Sequence, residues 1–96
     1  MEKVNINLDK DGNGSFTLQE DNEQVAYMNF QIKGKVLIVE HTKVEEEHEG
    51  KGCAIKLFNS MVDYARANNL TVKPKCKFAL IQFLKDPEKY SDIWKE

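Results

Sequence analysis

The chain has 96 residues, fourteen Lys/Arg against sixteen Asp/Glu, two cysteines, and a hydrophobic fraction of 41%. That length suits one domain over residues 1–96, and the composition is that of a folded globular protein rather than a disordered one. No run approaches the roughly 20 apolar residues that span a bilayer, and the first residues lack the apolar stretch of a secretory signal. Two cysteines are too few for a disulfide scaffold, so a reduced, cytoplasmic protein is expected. The net charge of −2 gives no general attraction to nucleic acid or an anionic membrane, and neither is expected as a partner.

In chain order, the first half reads as strands. Val4, Ile6 and Leu8 alternate with Asn5 and Asn7, which predicts one buried face. Asp11-Gly12-Asn13-Gly14 supplies hairpin-turn chemistry before Phe16 and Leu18 resume the alternation. After the polar turn Glu20-Asp21-Asn22, Ala26, Met28, Phe30 and Ile32 share a face. Gly34 turns the chain into Val36-Leu37-Ile38-Val39, apolar on both faces, the pattern of a central strand covered from two sides.

The period then changes. From Cys53 to Asn68, Ala54, Leu57, Phe58, Met61, Val62 and Ala65 form one helical stripe. Leu70 to Lys73 is a short strand before Pro74, Phe78 to Lys85 reads as a helix stopped by Asp86-Pro87, and Tyr90, Ile93 and Trp94 suggest a last helical turn. Phe83, Ile81 and Trp94 read as core, Cys53 as packing, and His48 and Tyr90 as structural or exposed. Strand, helix, strand implies a parallel pair joined by a right-handed crossover. The fold class is α/β, a mixed sheet of N-terminal antiparallel strands followed by one βαβ unit and a C-terminal helix.

Between the central strand and its helix lies Glu49-Gly50-Lys51-Gly52-Cys53-Ala54. Glycines at a strand-to-helix turn let backbone approach a ligand, and the first N–H groups of the helix carry its positive dipole end. The segment can therefore hold phosphate or pyrophosphate, with Lys51 and Lys56 adding charge, or the glycines can simply shape a tight turn.

Four spaced groups of residues carry a resemblance: His41-Thr42-x-Val44, Gly50-Lys51-Gly52-x-Ala54, Pro74-x-Cys76-x-Phe78-Ala79 and Pro87-Glu88-x-Tyr90. Together they resemble the minimal stand-alone subfamily of the GNAT superfamily, the acetyl-CoA-dependent N-acetyltransferases. Gly52 and Ala54 fill the last two defined positions of that superfamily's Gln/Arg-x-x-Gly-x-Gly/Ala loop, while Glu49 stands where Gln or Arg is usual, next to Glu45-Glu46-Glu47-His48, which reads as a solvated run. The final hairpin and catalytic tyrosine region of larger members have no counterpart here, so the resemblance leaves the acceptor undefined.

The resemblance implies acetyl-CoA as cosubstrate and an unknown amine or protein as acceptor. By position, the pyrophosphate falls to Gly50, Lys51, Gly52, Cys53 and Ala54, and the pantetheine arm to the backbone near Thr42, Lys43 and Val44. His41, at the end of the central strand, is the candidate base, since an imidazole can exchange protons near neutrality. Cys76, flanked by Lys75 and Lys77 at a helix start, is the candidate reactive thiol, either as a nucleophile that takes the acetyl group or as proton donor to the CoA sulfur. The first reading is thus an N-acetyltransferase; the second is a CoA-binding or interaction module without catalysis.

A third signal competes. Residues 9–20, from Asp9 to Glu20, match an EF-hand calcium loop at every defined position. The same Asp, Asn and Gly residues also make a hairpin turn, and the flanking alternation is that of strands rather than helices, so no metal ligand is assigned.

Overall fold

A computed structural model describes residues 2–95. The elements run β1 (Glu2–Leu8), β2 (Asn13–Glu20), β3 (Glu23–Lys33), β4 (Val36–Val44), α1 (Cys53–Ala67), β5 (Thr71–Pro74) and α2 (Lys77–Lys85), with a 3-10 turn at Glu46–His48. One sheet holds the strands in the order β1-β2-β3-β4-β5. The first three pairings are antiparallel and β4–β5 is parallel, as the order of periodicities predicts.

The amphipathic stripe of α1 sets the core. Leu57, Phe58, Met61, Val62 and Ala65 are buried against Phe16, Leu18, Met28, Phe30, Leu37 and Val39 from the sheet. Tyr64 reaches across to the rings of Phe16 and Phe30. α2 joins the same layer through Phe83, which meets Phe58 edge-on with centroids 5.2 Å apart. Burial of such side chains is the main stabilising term, about 1.5–3 kcal/mol each.

Both helices therefore pack on one side of the sheet. Leu37 and Val39 are fully buried there, whereas Val36 and Ile38, on the other face, are half-buried. The expectation that β4 is covered from two sides is corrected: it is central in strand order but shielded by helices on one face only. The predicted buried face of β1 is corrected too. Val4 packs against the core, but β1 is an edge strand, and Ile6 and Leu8 are 46% and 49% exposed.

The β1–β2 connection is a hairpin turn. Asp9 accepts the N–H groups of Asp11 and Asn13 at 2.9 and 3.0 Å, so its carboxylate organises its own backbone. Glu20 pairs with Glu2 at the far end of β2, about 20 Å from the turn at the rise of a strand. It cannot close a twelve-residue calcium loop around Asp9, and the calcium reading is withdrawn.

The last segment makes the single turn expected of it and then joins the sheet edge. Residues 90–94 make one hydrogen-bonded turn, with Trp94 N–H donating to the Tyr90 carbonyl at 2.8 Å, and Trp94 also forms a parallel bridge to Val72. Tyr90 is buried against Phe58 and Phe83, while Ile81, expected in the core, is 40% exposed on the outer face of α2.

Candidate active site

The C-terminal ends of the two parallel strands and the N-termini of both helices meet at one end of the sheet, the position where open α/β sheets bind ligands. Two local features open a slot there. β5 stays in register with β4 only from Val36↔Thr71 to Val39↔Pro74. The Val39 carbonyl then accepts the N–H groups of both Lys75 and Cys76, at 2.9 and 3.1 Å, as the chain turns away into α2. β3 continues to pair with β4 as far as Ala26↔Val44. Residues 40–44 consequently have a strand partner on one side only, leaving about 16 Å of single-sided strand edge.

The second feature is a bulge. Phe30 pairs with Val39 and Asn29 with His41, so Glu40 is the extra residue on β4. One inserted residue reverses which side chains face which way. Thr42 and Val44, opposite Met28 and Ala26, join the helix-covered face, and His41 turns to the open face. There its ring lies beside Tyr27, with centroids 5.9 Å apart.

Cys76 caps the start of α2, and its carbonyl accepts the Leu80 N–H at 3.1 Å. The thiol is 9% exposed and its Sγ stands 3.3 Å from Thr42 Oγ1, across the slot. Cys76 and Thr42 are thus brought together, and His41 is the neighbour of Thr42 on the opposite face of the same strand. The sequence pointed to Thr42 for its backbone alone, and to Tyr27 not at all. Neither contact leaves a mark in local periodicity, because both depend on the Glu40 bulge.

At the mouth of the slot, Gly50 and Gly52 have φ of 80° and 79°, the left-handed region that favours glycine. A Cβ placed on either would meet nothing within 4 Å, so their backbone borders open space. The first intrahelical bond runs from Lys56 N–H to the Gly52 carbonyl at 3.1 Å. The N–H groups of Cys53, Ala54 and Ile55 precede it and have no carbonyl within the helix to bond. An anion fits this cradle: unfilled space, positive-φ backbone and a helix dipole coincide. Lys51 is exposed within the loop, and Lys43 is exposed on β4.

Lys56, expected to add charge to the cradle, is bonded through Nζ to both carboxylate oxygens of Glu2. That hydrogen bond raises its pKa above the ordinary lysine value. The Cys53 side chain is buried, its Sγ 3.7 Å from the His48 carbonyl, so only its backbone faces the cradle. Glu45, Glu46, Glu47 and Glu49 are all exposed, which fits a solvated acidic run. His48 Nδ1 is buried without a hydrogen bond, 3.8 Å from Glu20 Oε2.

The family model described as GCN5-related N-acetyl-transferase matches residues 15–93. The chain belongs to this family. Solved structures carry the same fold. A ribosomal-protein-alanine N-acetyltransferase from Brucella melitensis biovar Abortus 2308 superposes with a TM-score of 0.70 at 17% identity, over 81% of this chain and 62% of that one. The NMR solution structure of a GCN5-like protein from Staphylococcus aureus gives 0.66 at 26% identity, over 95% of this chain and 87% of that one. Tetrahymena GCN5 gives 0.65 at 15% identity, over 80% of this chain and 50% of that one. The chain therefore spans less than two thirds of the Brucella and Tetrahymena structures and most of the Staphylococcus one. No curated protein sequence matches significantly. Among the described residues no helix is long and apolar enough to cross a membrane, and no group of His, Cys, Asp and Glu could hold a metal ion.

Proposed function

We propose that the protein is an acetyl-CoA-dependent N-acetyltransferase working through the β4–β5 slot. The observation that carries this is the single-sided stretch of β4, which runs from the Cys76–Thr42 pair toward the glycine cradle. The main-chain N–H groups of residues 50–54 hold the pyrophosphate, and the free edge of Thr42, Lys43 and Val44 pairs with the pantetheine arm. Bound there, the cosubstrate supplies an acetyl group already activated as a thioester.

The chain's own groups flank that position from two sides. His41, on the open face, accepts the proton that the attacking amine must lose. Cys76, on the helix side, holds a proton at Sγ for the leaving sulfur. This division favours direct transfer over an acetylated Cys76. A nucleophilic thiol is activated by an adjacent base or by a helix N-terminus and nearby cations; the side chain recorded against Sγ is the Thr42 hydroxyl, and the candidate base His41 faces the other way. The open face around His41 admits an amine from solvent or on a larger molecule. Both cysteines are free, consistent with a reducing, cytoplasmic setting.

The test is a titration with acetyl-CoA mapped residue by residue, followed by release of CoA in the presence of an amine panel. Saturable shifts in residues 42–44 and 50–54, with amine-dependent CoA release lost in Cys76→Ala and His41→Ala, support the proposal. No binding refutes it, and binding without release for any amine leaves the CoA-binding module.

A further inference from the structure

On the side of β5 away from β4, a groove of about 370 Å3 is lined by Lys73, Pro74, Leu80, Leu84, Trp94 and Lys95. Its apolar wall follows from two local facts. The bridge between β5 and the C-terminal segment uses Val72, whose N–H donates to the Ile93 carbonyl at 2.6 Å and whose carbonyl accepts the Lys95 N–H at 2.8 Å. The next residue of β5 to face that side is Pro74, which has no N–H, so the ladder stops and the groove begins. On the opposite wall, Leu80 and Leu84 stand one helical turn apart on α2, 37% and 56% exposed. Trp94 is fixed between them and the core by stacking on Phe83, with centroids 5.8 Å apart and planes 8° from parallel.

Charge is segregated here. Residues 71–85 include Lys73, Lys75, Lys77 and Lys85 and no Asp or Glu, in a chain whose net charge is −2. All four lysines are exposed, as is Lys95 at the groove's other rim. A concave apolar floor with a lysine at each rim is complementary to a short segment that alternates apolar and acidic side chains.

We propose that this groove docks an acidic amphipathic segment of a partner polypeptide, helix-in-groove, with apolar side chains against Leu80, Leu84 and Trp94 and carboxylates at Lys73 and Lys95. The docked segment lies one turn of α2 from Cys76. This surface is separate from the acetyl-CoA slot, and the proposal stands whether or not the protein turns over.

Trp94 is the only tryptophan, so its emission reports on the groove directly. The probe is a synthetic sixteen-residue peptide, as an order of length for a stable short helix, with Leu at helical spacing and Glu on the flanking positions. We expect a saturable blue shift of Trp94 emission that weakens with added salt, and amide shifts confined to residues 73–84 and 94–95. Leu84→Glu, at an exposed position that leaves the core intact by circular dichroism, is expected to lower affinity at least tenfold, and Lys73→Glu to weaken it severalfold. A Lys-for-Glu version of the peptide binding equally well would overturn the proposal. So would shifts elsewhere in the protein, concentration-dependent self-association that occupies the groove, or binding to phosphatidylglycerol vesicles that the acidic peptide fails to compete.

Discussion

Replacing Gly52 separates the backbone's role in folding from its role in holding a ligand. Its φ of 79° lies in the left-handed region, and a Cβ there meets nothing within 4 Å, so Ala at this position is penalised by conformation rather than by a clash. The left-handed region costs an L-residue roughly 1–2 kcal/mol. In a domain of this size each kcal/mol moves Tm by roughly 4–8 °C, so Gly52→Ala should melt roughly 4–16 °C lower. Asn tolerates that region far better, and Gly52→Asn should melt within a few degrees of the parent. Both variants, however, place a side chain in the space from which a pyrophosphate would reach the first-turn N–H groups. Calorimetric titration with acetyl-CoA should therefore show both losing affinity by tenfold or more, about 1.4 kcal/mol, although only the Ala variant loses stability. If Gly52→Asn keeps its melting temperature and binds acetyl-CoA as tightly as the parent, the cradle does not hold the diphosphate and the site assignment fails.

Other outcomes follow from individual contacts. Cys76→Ala should leave acetyl-CoA binding intact and lower turnover by roughly 10²–10⁴-fold, the scale of a lost acid–base group; mass spectrometry of the parent should find no acetyl group trapped on Cys76. Glu2→Gln should raise acetyl-CoA affinity by roughly two- to fivefold, the scale of an exposed ion pair, because it frees Lys56 and removes a negative charge beside the cradle; the same titration checks it. The Arg66 guanidinium holds the Asp92 carboxyl below its ordinary pKa. A carboxyl that is more acidic in the folded state stabilises at neutral pH, and that contribution fades as pH falls through its titration. Asp92→Asn should therefore lower Tm slightly at pH 7 and not at all once the parent carboxylate is protonated. Phe83→Ala removes a fully buried ring in contact with Phe58, Tyr90 and Trp94 and should cost about 3–5 kcal/mol, read by urea unfolding.

Periodicity carries the elements well and the site only partly. The alternation of Phe16 and Leu18, the stripe of α1 and the glycine turn before Cys53 are local patterns, and each has its structural counterpart in place. What the sequence hides is non-local. The Glu40 bulge depends on β4's pairing with β3, and it decides that His41 faces Tyr27 while Thr42 faces Cys76. Counting by twos from Leu37 and Val39 would have put His41 on the buried side. Likewise Lys56 looks free in sequence, because Glu2 is 54 residues away along the chain. Val36 and Ile38 look buried because an apolar run does not say how many layers will cover it.

That single inserted residue also bears on the chemistry. In an uninterrupted β4, successive side chains beyond Val39 would keep the core's parity, placing His41 on the helix side and sending Thr42 to the open face, away from Cys76. With the bulge, the polar groups are divided: a thiol and hydroxyl on the side closed by α2, an imidazole on the side open to solvent. Acyl transfer needs a proton removed from the incoming amine and one returned to the departing sulfur, and under the proposed function this arrangement places one candidate group for each beside the slot. Deleting Glu40 separates the bulge from the facing it produces, because the deletion removes the unpaired residue and keeps the pairing of β4 with β3. With Val39 followed directly by His41, the pairings Phe30↔Val39, Asn29↔His41 and Met28↔Thr42 continue in plain alternation, so His41 keeps the open face and Thr42 the helix side, and turnover should survive in a folded variant whose glycine cradle still binds CoA. Turnover lost in that variant, with the fold and CoA binding intact, would mean that the facing of His41 and Thr42 is not what the reaction depends on.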